Sequence, residues 1–206
     1  RLRLYTSPNL RDWTLASTFG PEGVPADRIP NWECPDLFEL PVDGEPGATR
    51  WVLHVGMGHG HPAGGSGGQY FVGTFDGVRF VNDNPPETVL WADHGADDYA
   101  AVSWDGRTGA RGERFWIGWM SDWRYANAVP THPWRNGTTL PRRLSLRRFP
   151  EGLRLVARPV PALRALRGPL RRRGPRLLPA GATVDLGPEM AGDALVLQLP
   201  YDTGIV

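Results

Sequence analysis

The sequence predicts an all-β chain built from repeated small antiparallel sheets, the arrangement of a β-propeller. Three observations predict it. Glycine and proline, 26 and 21 of 206 residues, punctuate the chain too often for long helices. Short strand-like runs recur between turn signals, at 1–6, 34–40, 50–56, 69–75, 98–104, 114–120, 144–149 and 152–157. Two stretches also echo one another, Tyr5-Thr6-Ser7-Pro8-Asn9-Leu10-Arg11-Asp12-Trp13 and Val72-Gly73-Thr74-Phe75-Asp76-Gly77-Val78-Arg79-Phe80, each a strand, a tight turn and an aromatic. Their aromatic ends stand about 67 residues apart, more than the ~40–50 of common blades and consistent with one blade carrying loop insertions.

Arg1 to Tyr5 reads as a strand closed by the turn Ser7-Pro8-Asn9. In the second run Pro35 has a fixed φ and biases Cys34 toward extended backbone. The run at 69–75 follows glycines 64, 65, 67 and 68, which form no phosphate cradle. They lack the Lys and Ser/Thr of a P-loop and lead into β-type residues where a helix would be required. Ile117 and Trp119 alternate along a strand, and Trp119 is expected to fill a wedge between blades. Arg148-Phe149-Pro150-Glu151-Gly152-Leu153-Arg154-Leu155 is a third, weaker echo of the hairpin pattern. Thr183 to Leu186 and Ala194 to Leu199 are the last strand-like runs, too few to make a sheet pair alone.

Composition excludes several classes. Net charge is +1, so no whole-chain field argues for nucleic acid or a membrane surface. Residues 142–176 hold 12 of the 23 Arg, but 156–180 has no aromatic to stack on bases, so the Arg-rich stretch reads as a solvated connector. No apolar run approaches the roughly 20 residues that span a bilayer. The single cysteine, Cys34, forms no internal disulfide and is expected to be buried. His59-Gly60-His61 is a weak zinc signal without Cys or acidic partners and is expected as an exposed loop; neither metal nor cofactor is implied.

The chemistry concentrates in Trp32-Glu33-Cys34-Pro35-Asp36-Leu37. A carboxylate between an indole and a thiol is poorly solvated, which keeps its proton available near neutral pH for donation. The bland alternative is a salt-bridged strand residue. Asp36, three positions on, would point away from the face of Glu33. A second constellation runs from Ile117-Gly118-Trp119-Met120-Ser121-Asp122-Trp123-Arg124-Tyr125-Ala126-Asn127 through Val129-Pro130-Thr131 and Trp134-Arg135 to Leu140-Pro141-Arg142-Arg143-Leu144. Sugars present apolar C–H faces rimmed by hydroxyls, so an exposed indole such as Trp123 in a polar loop suits them.

These motifs, with Gly64-Gly65-Ser66-Gly67-Gly68-Gln69-Tyr70-Phe71-Val72-Gly73 and Asp93-His94-Gly95-Ala96-Asp97-Asp98-Tyr99-Ala100-Ala101, resemble glycoside hydrolase family 32 in family order over about residues 1–168. Asp122 stands where that family usually has Asn, and Arg143 where Glu is common. The resemblance implies a partial five-bladed β-propeller over 1–158, an Arg/Pro-rich connector over 159–180, and over 181–206 the start of a C-terminal β-sandwich. It implies a glycosidase of the β-fructofuranosidase, levanase or inulinase type, acting on sucrose, levan or inulin by a retaining double displacement with Glu33 as acid/base. Trp32, Asp97 and Trp123 are the candidate substrate contacts, although turn acids such as Asp93 and Asp97 commonly bond their own backbone.

The family's nucleophile lies in Asn-Asp-Pro-Asn-Gly and its transition-state stabiliser in Arg-Asp-Pro. Neither motif occurs here. The chain is therefore expected to be a fragment without its nucleophile, inactive as it stands, from a secreted parent. The competing reading is a non-catalytic carbohydrate-binding propeller. An arabinan- or xylan-acting propeller hydrolase shares the fold and is disfavoured by Glu33-Cys34-Pro35.

Overall fold

The computed structural model describes residues 1–24, 31–105 and 113–168. The chain divides into two compact units, Arg1–Val160 and Pro161–Val206. In the second, one 3-10 segment, Pro161–Leu166, is described. The strands expected at 183–186 and 194–199, and the connector beyond residue 168, lie outside the described residues.

The first unit is built of antiparallel strands in three sheets. β1 (Leu2–Thr6) and β2 (Thr14–Phe19) form a hairpin. β3 (Glu33–Pro41), β4 (Thr49–Met57), β5 (Gly67–Phe75) and β6 (Phe80–Asn82) form a meander, with β7 (Leu90–Trp91) pairing the other end of β5. β8 (Tyr99–Asp105), β9 (Arg114–Trp119), β10 (Arg142–Phe149) and β11 (Gly152–Pro159) form a second meander. All eight predicted runs are strands. The three echoing stretches are hairpins, β1–β2, β5–β6 and β10–β11. The first two share their turn chemistry: Asn9 Oδ1 accepts the N–H groups of Arg11 and Asp12, and Asp76 Oδ1 those of Val78 and Arg79.

Two apolar clusters explain the strand sequences. Phe38, Leu40, Val52, Tyr70, Val72, Trp116, Leu144 and Leu146 join the two meanders face to face. Phe19, Leu53, Val55, Phe71 and Phe80 join the β1–β2 hairpin to the opposite face of the first. β4 is thus covered on both sides, which is why Trp51 to Val55 reads as a nearly continuous apolar run and not as an alternation. β10 has one covered face and alternates: Leu144 and Leu146 are buried while Arg143 and Arg147 are exposed. Its arginines are engaged by acids, Arg142 with Asp93 and Asp98, Arg148 with Glu45. The first half of the Arg-rich stretch is therefore strand and not connector.

Candidate functional site

Glu33 opens β3, and the backbone immediately after it corrects two expectations. Cys34 is not extended but left-handed, at φ 46°, and it is exposed, not buried. The cause is a β-bulge. Glu33 pairs with Gly56 and Asp36 with His54, so Cys34 and Pro35 together oppose one residue, Val55. Proline, with no N–H to give to a ladder, fits such a position.

β8 carries the matching irregularity. Tyr99 pairs with Trp119 and Val102 with Ile117, so Ala100 and Ala101 oppose Gly118, and Ala100 has φ 49°. A left-handed non-glycine residue costs on the order of 1–3 kcal/mol, so the surrounding packing over-determines both bends.

The bulges also correct the expected direction of Asp36. Both carboxylates on this stretch reach β8. Glu33 Oε2 accepts the Tyr99 hydroxyl, and Asp36 Oδ2 accepts both the N–H and the hydroxyl of Ser103, at 2.7 and 2.6 Å. Asp36 is committed to pinning β3 to β8, whereas Glu33 keeps an exposed carboxylate. The shelter expected from indole and thiol is absent. Trp32, half-buried, turns to Phe19 and Phe71, with ring centroids 6.1 and 5.6 Å away, and the Cys34 residue is itself exposed.

What stands beside Glu33 is Tyr99, which motif reading passed over. Its ring is buried against Gly56, where an added Cβ would come within 3.2 Å of Cε2. Burial and the Glu33 carboxylate both push the phenol pKa far up, so Tyr99 stays protonated and donates. The nearby Trp123 indole exerts a small pull against that rise. Trp119 lies 6.3 Å from Tyr99 and 4.8 Å from Trp123, making a continuous aromatic wall from Glu33 outward. Trp119 is half-buried within it, and Trp123 is 57% exposed at its end.

Asp97, exposed, accepts the Tyr125 hydroxyl, which raises that phenol to about 12. Glu33 and Trp123 are therefore linked through Tyr99 and the Trp119 ring, and Asp97 joins the same loop through Tyr125. Trp32 is held elsewhere, among the aromatics over β5.

The loop carrying Trp123 is braced by Asp122. Its side chain is fully buried, which raises its pKa, yet the Arg124 guanidinium and the Arg124 and Ser66 backbone N–H groups outweigh burial and hold the carboxyl below the usual range. Gly65, at φ 72°, lies against this carboxylate, where any Cβ would overlap it. The glycine-rich stretch thus serves as a close-approach seat for the Asp122–Arg124 pair.

Behind the wall, Asp93 bonds the Gly95 N–H as turn acids do, at 2.7 Å, and takes Arg142 at 2.6 Å. Arg142 also reaches the buried Asp98, whose pKa burial raises to about 6 against the pull of Arg142. The Trp116 indole exerts a small opposing influence on Asp98 but lies outside good bonding geometry, leaving Asp98 Oδ1 and Trp116 Nε1 without hydrogen-bond partners. His61, expected on an exposed loop, is buried: Nε2 meets the Asp93 carbonyl at 2.9 Å and Nδ1 accepts the Ala63 N–H. It is a loop clasp in its Nε2–H tautomer. Among the described residues no group of three or more His, Cys, Asp or Glu is placed to hold a metal ion.

The family model described as the glycosyl hydrolases family 32 N-terminal domain matches residues 1–159. The chain belongs to glycoside hydrolase family 32. Among its family 32 relatives, a levanase of Bacillus subtilis (strain 168) is 50% identical over 202 residues, covering 98% of this chain and 29% of the relative. An extracellular exo-inulinase of Aspergillus niger is 42% identical over 166 residues, covering 77% and 30%. The solved exo-inulinase of Aspergillus awamori matches at TM-score 0.68 and 40% identity, covering 76% of this chain and 31% of that one. The fructofuranosidase of Schwanniomyces occidentalis complexed with fructose matches at 0.67 and 36%, covering 77% and 30%. The chain thus spans about three-tenths of the length of these family 32 proteins.

Proposed function

We propose that this chain is part of a family 32 fructan or sucrose hydrolase of the levanase or inulinase type, working by a retaining double displacement with Glu33 as acid/base. The observation that carries the reading is the placement of Glu33: an exposed carboxylate at the head of β3, beside an aromatic wall that ends in the exposed Trp123. Glu33 would protonate the leaving oxygen in the first step and deprotonate water in the second. Trp123 would pack a sugar face, Asp97 would take a hydroxyl, and the free part of the half-buried Trp32 would touch the fructosyl unit. The sheets would belong to a five-bladed propeller followed by a β-sandwich, and the protein would be secreted, as the name of the Aspergillus niger relative indicates for that enzyme.

Retention needs a second carboxylate about 5–5.5 Å from the first. The sequence contains neither of the family motifs that would supply it, and Asp36 is occupied by Ser103. The 206 residues alone should therefore release no fructose.

The test is fructose release from levan, inulin and sucrose by the full-length protein that carries this chain. Glu33→Gln should lower kcat by about a thousandfold, the usual worth of general acid–base catalysis. Full activity in that variant, or turnover by the 206 residues alone, overturns the reading. A carbohydrate-binding propeller is favoured instead if the full-length protein binds levan oligosaccharides through Trp123 yet hydrolyses none.

A further inference from the structure

Two irregular backbones face each other across the sheets, and each bends directly after a functional atom. Cys34, at φ 46°, follows Glu33, and Ala100, at φ 49°, follows Tyr99. In both strands two residues oppose one on the neighbour. Bulges re-aim the side chains beside them. Here the pair brings the hydroxyl of a buried tyrosine onto one oxygen of an exposed carboxylate. Gly56, paired with Glu33, leaves the space that the Tyr99 ring fills. The Trp119 ring, 6.3 Å from Tyr99 and 4.8 Å from Trp123, links the Tyr99 ring to the exposed indole.

Resting on the reading of Glu33 as acid/base, we propose that Tyr99 is a positioning residue that fixes the Glu33 carboxylate and couples it to the sugar platform at Trp123. The hydroxyl donates to Oε2 and so leaves Oε1 as the oxygen that carries the proton. When the glycosidic bond breaks, the Oε1–H bond breaks and the leaving oxygen takes that proton; Tyr99 keeps its own throughout. A sugar seated on Trp123 packs on the ring that Trp119 joins to Tyr99, so an occupied platform and a correctly turned Glu33 go together.

The experiment compares two substrates in the full-length protein. Sucrose has an alkoxide leaving group that needs protonation, and an aryl β-fructofuranoside with an acidic phenol does not. Tyr99→Phe removes one oxygen and keeps the ring. It should lower kcat on sucrose by about 10- to 100-fold with KM changed less than about threefold, and lower kcat on the aryl fructoside several-fold less. The ratio of the two rates does not depend on how much of the variant folds, which separates positioning from mere loss of structure. Gly56→Ala, which crowds the ring without removing the hydroxyl, should move the ratio in the same direction. Trp123→Phe should change the ratio in the wild type and add little in the Tyr99→Phe background. An unchanged ratio in Tyr99→Phe, or strictly additive Tyr99 and Trp123 effects, overturns the proposal. If Glu33→Gln itself keeps full activity on sucrose, the acid/base reading has failed, and that outcome is separate from either result for Tyr99.

Discussion

Asp122 shows how a single departure from the family pattern is absorbed. A carboxylate with 0% side-chain exposure would be costly alone, but Arg124, two residues on and 48% exposed, reaches back to it while Gly65 lets the Gly-rich loop close over it. Arg124→Met should lower stability by about 2 kcal/mol, because it leaves a buried anion with backbone donors only. Adding Asp122→Asn should restore part of the loss, since the amide keeps the acceptor for the Arg124 N–H and carries no charge. Thermal melts of the two single variants and the double variant test this, and additive losses would show that the pair is not coupled. Side chains of this kind are half legible in the sequence. The exposure of Trp123 is legible from its polar loop, and Glu33 stands out by its motif. Tyr99 is not, because its direction depends on two bulges, and nothing in Ala100-Ala101 announces a left-handed backbone. The exposure of Cys34 is hidden for the same reason: Pro35 signals an extended chain, while the bulge it permits turns Cys34 outward.

At the level of elements, strands with long apolar or alternating runs are readable and short ones are not. β2, Thr14–Phe19, is rich in small and hydroxyl residues, and β6 and β7 have three and two residues, so neither period nor composition marks them. Tertiary pairing creates them: β6 exists because β5 offers it an edge from Gly73 to Phe75. That edge depends on Gly73, where a Cβ would overlap the Val81 carbonyl oxygen of the partner strand, a backbone atom that has no rotamer to retreat into. Gly73→Ala should therefore destabilise by about 3 kcal/mol through overpacking. Gly58→Ala, with no neighbouring atom within 4 Å of the new Cβ, should stay within about 0.5 kcal/mol of the parent. Urea melts of both variants make the comparison. Equal stabilities would mean that the β5–β6 edge yields without cost. The number of blades and a following β-sandwich are expectations of the family resemblance alone: residues 181–206 lie outside the described residues, and the described strands form three sheets.

Over the whole molecule, stability between pH 4 and 7 is shaped by two buried groups that pull in opposite directions. Burial raises Asp98 from 3.8 to about 6 and lowers His54 from 6.5 to about 3. Both adjoin one indole, His54 at 4.6 Å from the Trp116 ring and Asp98 close enough to feel its N–H. Between pH 4 and 6 the folded state holds more protons at Asp98 than the unfolded chain does, so this group makes stability fall as pH rises. Over the same range the unfolded chain holds more protons at His54, so that group makes stability rise with pH and removes it as pH falls below 6.5. Each slope approaches about 1.4 kcal/mol per pH unit, and together they largely offset one another. Removing one should expose the other. Asp98→Asn should gain on the parent as pH rises from 4 to 7, reaching on the order of 2–3 kcal/mol at pH 7, because the folded state no longer carries a buried anion. His54→Leu should do the reverse, with its advantage over the parent largest at pH 4 and smallest at pH 7. Urea melts of the parent and both variants at pH 4, 5, 6 and 7 give the differences directly, in which groups common to all three cancel. Differences that stay flat across pH would show that neither group titrates within the fold over this range, and the two slopes would then have to be sought at the exposed carboxylates instead.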